Sequence, residues 1–193
     1  MMTSLIGILS LVSALTATSS ALSCMECKSE TSPCSSILCP PETMCGTVYF
    51  QGLAAGMGSQ SLHRGCLPLS ECGNSGTISI KQGRSGVGVS CCSSDNCTPG
   101  LLKPPQKNHN PNGVICPSCA TAESTSCDTS DTIQCTGDEN ICLFRTTKTG
   151  ELSTAVRGCA TKSYCDLGRQ FYNIEGSTTE VTQSCTSGGI STQ

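Results

Sequence analysis

The chain has 193 residues, 18 of them cysteine, with three Phe, three Tyr, no Trp and a formal net charge of −3. So few bulky side chains exclude a single large hydrophobic core, and small domains of this make-up fold only with covalent cross-links. The acidic balance disfavours nucleic acid as a partner, since that function needs a basic face.

The chain opens with MMTSLIGILSLVSALTATSSALS, which carries no charged side chain and has an apolar run from Leu5 to Leu15. This is the pattern of a secretory signal peptide over residues 1–23, too short to favour a membrane span. Small residues at Ser19 and Ala21, or at Ala21 and Ser23, suit cleavage before Leu22 or before Cys24. The final CTSGGISTQ has no apolar tail of the kind a lipid-anchor signal requires. The expectation is a secreted, extracellular protein without a membrane anchor, in a compartment where cysteines pair.

Beyond the leader the cysteine spacing repeats. Cysteines at 24, 27, 34, 39, 45, 66, 72 and 91 leave gaps of 2, 6, 4, 5, 20, 5 and 18, while those at 116, 119, 127, 135, 142, 159, 165 and 185 leave 2, 7, 7, 6, 16, 5 and 19. Arg-Gly-Cys marks the same place in both, at Arg64-Gly65-Cys66 and Arg157-Gly158-Cys159. An internal repeat of this length implies two similar domains, 24–97 and 116–185. Between them residues 98–115, with Lys-Pro-Pro and Asn-Pro-Asn-Gly runs, are expected to resist regular structure and form a stiff linker. A tail, 186–193, follows.

Within each copy the long gaps are expected to hold paired strands. Thr47-Val48-Tyr49-Phe50 is β-prone, residues 52–58 form a glycine-rich tip, and Ser61 to Cys66 returns. Thr77 to Lys81 alternates apolar and polar side chains, Gly83 to Gly86 is expected to turn, and Val87 to Val89 leads back to Cys91. In the second copy Ile141 to Thr147 pairs with Thr154 to Cys159 around Lys148-Thr149-Gly150, and Phe171 to Ile174 with Glu180 to Ser184. No long helical periodicity is present, so the fold class is small, disulfide-rich and all-β.

Close paired cysteines at each start, two long cysteine-bounded loops, and the terminal Cys91-Cys92-x4-Cys97 resemble the Ly-6/urokinase-receptor (uPAR) family of three-finger, snake-toxin-like domains. The resemblance implies Cys24–Cys45, Cys27–Cys34, Cys39–Cys66, Cys72–Cys91 and Cys92–Cys97 in the first domain. In the second it implies Cys116–Cys142, Cys119–Cys127, Cys135–Cys159 and Cys165–Cys185. Cys185 aligns with Cys91, but Thr186 follows and no cysteine comes after it, so the counterparts of Cys92 and Cys97 are missing together. Bonded partners are expected to be lost as a pair. The wider family places Asn directly after the last cysteine, tying the domain ends; here Thr98 occupies that place and Asn96 precedes Cys97. The result is a candidate N-glycosylation sequon at Asn96-Cys97-Thr98.

A ten-cysteine domain followed by an eight-cysteine one is similar to the gamma-type phospholipase A2 inhibitors. Pro41-Glu42 leading into Cys45-Gly46-Thr47-Val48, and Pro111-Asn112-Gly113 before Cys116-Pro117, carry that likeness further. It implies a secreted protein partner, phospholipase A2, and a homo- or hetero-oligomer. The same architecture also resembles sodefrin-precursor-like pheromone proteins, which implies instead a signalling ligand with no inhibitory activity.

Residue types for catalysis or cofactors do not assemble. The Cys24/Cys27 and Cys116/Cys119 pairs have zinc or redox spacing, but a zinc site needs further ligands at compatible spacing and the chain has only His63 and His109. No Gly-x-Ser-x-Gly elbow follows a strand, and the Gly83–Gly88 run lacks the strand-to-helix setting of a phosphate cradle. The expectation is a non-enzyme without metal or cofactor. Candidate contacts are the finger tips at Leu53 to Met57 and Gly83 to Gly86. A further candidate is the second domain's acidic surface, with five basic and nine acidic residues including Asp128, Asp131, Asp138 and Glu139, which would draw a basic partner.

Overall fold

The computed structural model describes residues 21–27, 33–54, 57–167, 171–174 and 177–190. The expected leader, apart from its last three residues, lies outside them, as do the last three residues of the tail. In the first domain, finger one is β1 (Ser23–Glu26) and β2 (Ser35–Leu38), finger two β3 (Thr43–Ala54) and β4 (Met57–Pro68), and finger three β5 (Ser75–Ile80) and β6 (Gly83–Cys92). In the second, β7 (Pro111–Pro117), β8 (Cys119–Ala122) and β9 (Thr132–Thr136) make the first finger. The others are β10 (Ile141–Thr149) with β11 (Leu152–Ala160), and β12 (Phe171–Ile174) with β13 (Ser177–Ser187); β14 (Gly189–Ile190) returns to β7. These are tandem three-finger domains.

Nine disulfides tie the finger bases. They join Cys24 to Cys45, Cys27 to Cys34, Cys39 to Cys66, Cys72 to Cys91 and Cys92 to Cys97 in the first domain. In the second they join Cys116 to Cys142, Cys119 to Cys127, Cys135 to Cys159 and Cys165 to Cys185. The sulfurs themselves fill the core at each base: Cys24, Cys39 and Cys45 cluster in one domain, Cys116, Cys135 and Cys159 in the other. This replaces the aromatic core that the composition lacks.

The central sheets of the two domains are joined edge to edge. The strand order runs β12-β13-β10-β11-β5-β6-β3-β4, with β8 also on β11. The junction is short: Cys159 opposes Ser79 and Ala160 opposes Ile78. Beneath it Val48, Ile78, Val87 and Val89 from the first domain pack with Leu143, Ala160 and Tyr164 from the second. Burying each of the larger side chains contributes about 2 kcal/mol, so the apolar core of the molecule straddles the two repeats.

Three local expectations change. The third finger turns at Lys81-Gln82, with Ile80 opposite Gly83, instead of at Gly83 to Gly86. Gly83 and Gly86 lie inside β6, and the missing side chains of Gly86 and Gly88 leave room for the linker. A Cβ on Gly86 would come within 2.5 Å of the Pro104 Cβ, and one on Gly88 would strike the Leu102 carbonyl oxygen. The tip of finger two is also tighter than residues 52–58, because pairing continues to Ala54 opposite Met57.

The linker is regular from Pro111, where β7 starts. Asn112 makes this feasible: its Oδ1 accepts from the Val114 N–H at 3.0 Å and its amide donates to the Gly137 carbonyl at 2.9 Å. A five-residue helix, α1 (Lys162–Asp166), follows β11, capped by the Thr161 side chain, which accepts from the Tyr164 N–H.

Candidate protein-binding surface

The acidic residues of the second domain do not form one open patch. Glu139 is 4 % exposed. Its Oε1 accepts from Thr77 Oγ1 at 2.6 Å and from Arg84 Nε at 3.0 Å, both from finger three of the first domain. Asp131 pairs at 2.9 Å with Lys81 of the same finger's turn. The basic partners that this acidity draws are therefore in the same chain. Asp128 and Asp138 remain exposed.

Finger three of the first domain is consumed by this contact rather than offered as a tip. Arg84 also donates through Nη1 to the Pro105 carbonyl at 3.0 Å, holding the linker. Thr77 and Thr161 exchange bonds across the junction, Thr161 N–H to Thr77 O at 3.0 Å and Thr77 N–H to Thr161 Oγ1 at 3.1 Å. The Lys81 N–H donates to Ser118 Oγ at 2.9 Å, and Ser163 Oγ donates to the Ser75 carbonyl. Gly76 and Gly158 permit the approach: a Cβ on Gly76 would sit 2.6 Å from the Tyr164 nitrogen, and one on Gly158 would strike the Ser79 carbonyl. The Thr77–Thr161 bond is buried beside the straddling core, where it is stronger than at a wet surface.

The other tip, Leu53 to Met57, brackets residues 55 and 56, which lie outside the described residues, as do all side chains from 53 to 57. What is described is the strand that returns from it. Gly58, Ser59 and Gln60 are exposed on β4, the last strand of the joined sheet. His63 is half-buried on the same strand and meets Phe50 edge-on with ring centres 6.1 Å apart, a packing role; His109 lies exposed in the linker.

On the second domain the Arg157 guanidinium lies 4.5 Å from the Phe144 ring centre, an Arg–aromatic pair of the kind enriched in protein interfaces. Arg157 and Arg64 hold equivalent places, but Arg64 faces Thr47 across the hairpin where Arg157 faces Phe144. The aromatic residue is thus a feature of one repeat only.

The sequon residue Asn96 is exposed, with φ 52°. It also closes the first domain. Its N–H donates to the Ser23 carbonyl at 2.7 Å, its Oδ1 accepts from Ser36 Oγ at 2.7 Å, and neighbouring Asp95 accepts from the Ser23 N–H at 2.9 Å. The residues before Cys97 thus supply the tie that the family makes after it.

The sulfurs of Cys24, Cys39 and Cys66, and of Cys116, Cys135 and Cys159, gather within 4.8 Å in each domain. Each is bonded in a disulfide, so none has a thiolate to offer a metal. Among the described residues no helix is long and apolar enough to cross a membrane.

The chain matches the u-PAR/Ly-6 domain model twice, over residues 20–100 and 112–191. It is 36 % identical over 91 residues to the phospholipase A2 inhibitor NAI of Notechis ater, covering 44 % of each chain. It is 28 % identical over 130 residues to phospholipase A2 inhibitor gamma subunit A1 of Trimerodytes annularis, covering 62 % of this chain and 68 % of that one. To the mouse urokinase plasminogen activator surface receptor it is 30 % identical over 155 residues, 75 % of this chain and 46 % of the receptor. The match to NAI thus spans under half of that relative's length. With mouse TEX101 the structural comparison covers 79 % of this chain and 87 % of the other at a TM-score of 0.35 and 16 % identity, too distant to inform the surface. Two matches that together take in most of the residues, on two sets of disulfide-tied fingers, place the chain in the u-PAR/Ly-6 domain family.

Proposed function

We propose that this chain is a secreted, non-catalytic binding protein that captures a secreted phospholipase A2 and keeps it from its membrane substrate. The observation that carries the reading is the similarity to proteins named as phospholipase A2 inhibitors, at 36 % identity over 91 residues. The joined sheet supports it physically. A binder whose two domains are already fixed by a shared core loses little conformational entropy on binding, and preorganisation of that kind raises affinity. The Phe144–Arg157 pair and the exposed Asp128 and Asp138 offer an anchor and a weak steering field for a basic enzyme surface.

The test is inhibition of a panel of secreted phospholipases A2, basic and acidic, assayed on vesicles at equimolar inhibitor. The expected outcome is loss of vesicle hydrolysis with at least one basic enzyme, weakened several-fold when Phe144 is replaced by Ala. Absence of both binding and inhibition across the panel sinks the reading. A second reading rests on the longer match to the mouse receptor: the same rigid scaffold binds a secreted protease such as urokinase plasminogen activator. Including that protein in the binding panel separates the two.

A further inference from the structure

The closing loop of the first domain leaves one reactive group unused. Residues 93–96 and Thr98 are exposed, and Asn96-Cys97-Thr98 is the sole Asn-x-Ser/Thr sequence in the chain. The tie that Asn96 makes to finger one takes its backbone N–H, given to the Ser23 carbonyl at 2.7 Å, and its Oδ1, which accepts from Ser36 Oγ at 2.7 Å. Among the described residues nothing accepts from its amide nitrogen, Nδ2. That nitrogen is the atom an N-linked sugar takes.

The same contacts set when a sugar can arrive. Asn96 sits at φ 52°, in the left-handed region that Asn tolerates. Its flanks are pinned: the Asp95 carboxylate accepts from the Ser23 N–H at 2.9 Å, the Cys97 N–H donates to the Ser94 carbonyl at 3.2 Å, and Cys97 is bridged to Cys92. A transferase must draw the Asn amide and the hydroxyl two residues on into one active site, which takes a freely bending chain. The closed loop has no such freedom; the newly made chain does.

We propose that Asn96 carries an N-linked glycan, joined at Nδ2 before the Cys92–Cys97 loop closes. This rests on the proposed secretion, since the sugar donor is met only in the secretory pathway. Nδ2 attacks the anomeric carbon of a lipid-pyrophosphate-linked oligosaccharide. The C–N bond forms as the bond from that carbon to the pyrophosphate oxygen breaks, the lipid pyrophosphate leaves, and Nδ2 gives up one proton. The Oδ1 acceptor and the backbone N–H survive the transfer, so the modified chain folds with the same tie to Ser23 and Ser36. A branched sugar on this loop removes the adjoining base of finger one from the surfaces open to a large protein partner.

The experiment begins with the full chain expressed in mammalian cells and its intact mass taken before and after peptide N-glycosidase treatment. The wild type in the medium should carry one glycan, whose removal leaves Asp at position 96. Thr98→Ala breaks the sequon without touching the tie and should abolish the modification, whereas Thr98→Ser should keep it. A second arm offers the unglycosylated full chain, made in bacteria and refolded, to detergent-solubilised microsomal membranes that supply transferase and donor. The oxidised chain should stay unmodified and the reduced chain should be modified at Asn96. Unmodified wild type overturns the proposal, alone if the chain is found in the medium and together with secretion if it is retained in the cytosol. An oxidised chain modified as readily as the reduced one, or a reduced chain left unmodified, overturns it too.

Discussion

The two domains have the same fingers and close them differently. The first ends in an extra bridge, Cys92 to Cys97, with Asp95 and Asn96 stitched to Ser23. The second has no such bridge; its β13 runs on to Ser187, and β14 returns to pair with β7 through Gly189–Ile115 and Ile190–Val114. One domain fastens its ends with sulfur, the other with backbone hydrogen bonds. The second domain also leans on its neighbour, since β11 takes β5 as an edge partner. Loss of a bridge is tolerated where another domain supplies contact.

The largest effect that breaks this comparison is expected from Glu139→Ala. Removing one member of a buried ion pair leaves the other desolvated and costs about 3 to 5 kcal/mol, and here the orphaned group, Arg84, belongs to the opposite domain. Denaturant unfolding should lose its single transition and show two, with the second domain melting first. A single transition at unchanged midpoint would falsify the idea that Glu139 couples the domains.

Next in size is the double change Cys92→Ser with Cys97→Ser, which gives the first domain the cysteine set of the second. A short closed loop contributes about 2 kcal/mol, and the loss should appear as faster hydrogen exchange at Asn96, whose N–H bonds to Ser23. The smallest effect is expected from Lys81→Ala. Its ion pair with Asp131 is exposed on both sides, at 45 % and 62 % of the side chains, and such pairs contribute about 0.5 kcal/mol or less. A larger loss would show that the turn of finger three, and not only Glu139, holds the junction.

The architecture was legible because cysteine spacing is a one-dimensional record of where fingers begin and end. The junction was not. Glu139 and Arg84 are 55 positions apart and Thr77 and Thr161 are 84 apart, and no local pattern announces such a pairing. Glu139 in the sequence is one more acidic residue in an acidic domain; only burial turns it into a bolt. The Gly83–Gly88 run misled for a related reason. Glycine signals both a turn and a close approach of another backbone, and only the position of Leu102 and Pro104 shows that Gly86 and Gly88 serve the second use. The Lys81-Gln82 turn lacks the Asn-Gly or Asp-Gly signature that would have marked it. α1 escaped because five residues are too few for a helical period to register.

The pairing of β5 with β11 also sets an order of events in biosynthesis. Contacts between distant segments form late, after the chain between them exists, and Ile78 and Ala160 are separated by the whole linker and more than half of the second domain. On the proposed secretion, a first domain emerging from the translocation channel displays Thr77, Ile78 and Ser79 as an open edge until its partner strand has been made. Exposed edges of this kind drive aggregation of folding intermediates. A chain stopped after residue 110 should accumulate as high-molecular-weight material in the secretory pathway, while the full chain exports cleanly; equal export of both would show that the first domain guards its own edge. The second domain would then act, before any ligand is met, as a built-in chaperone for the first.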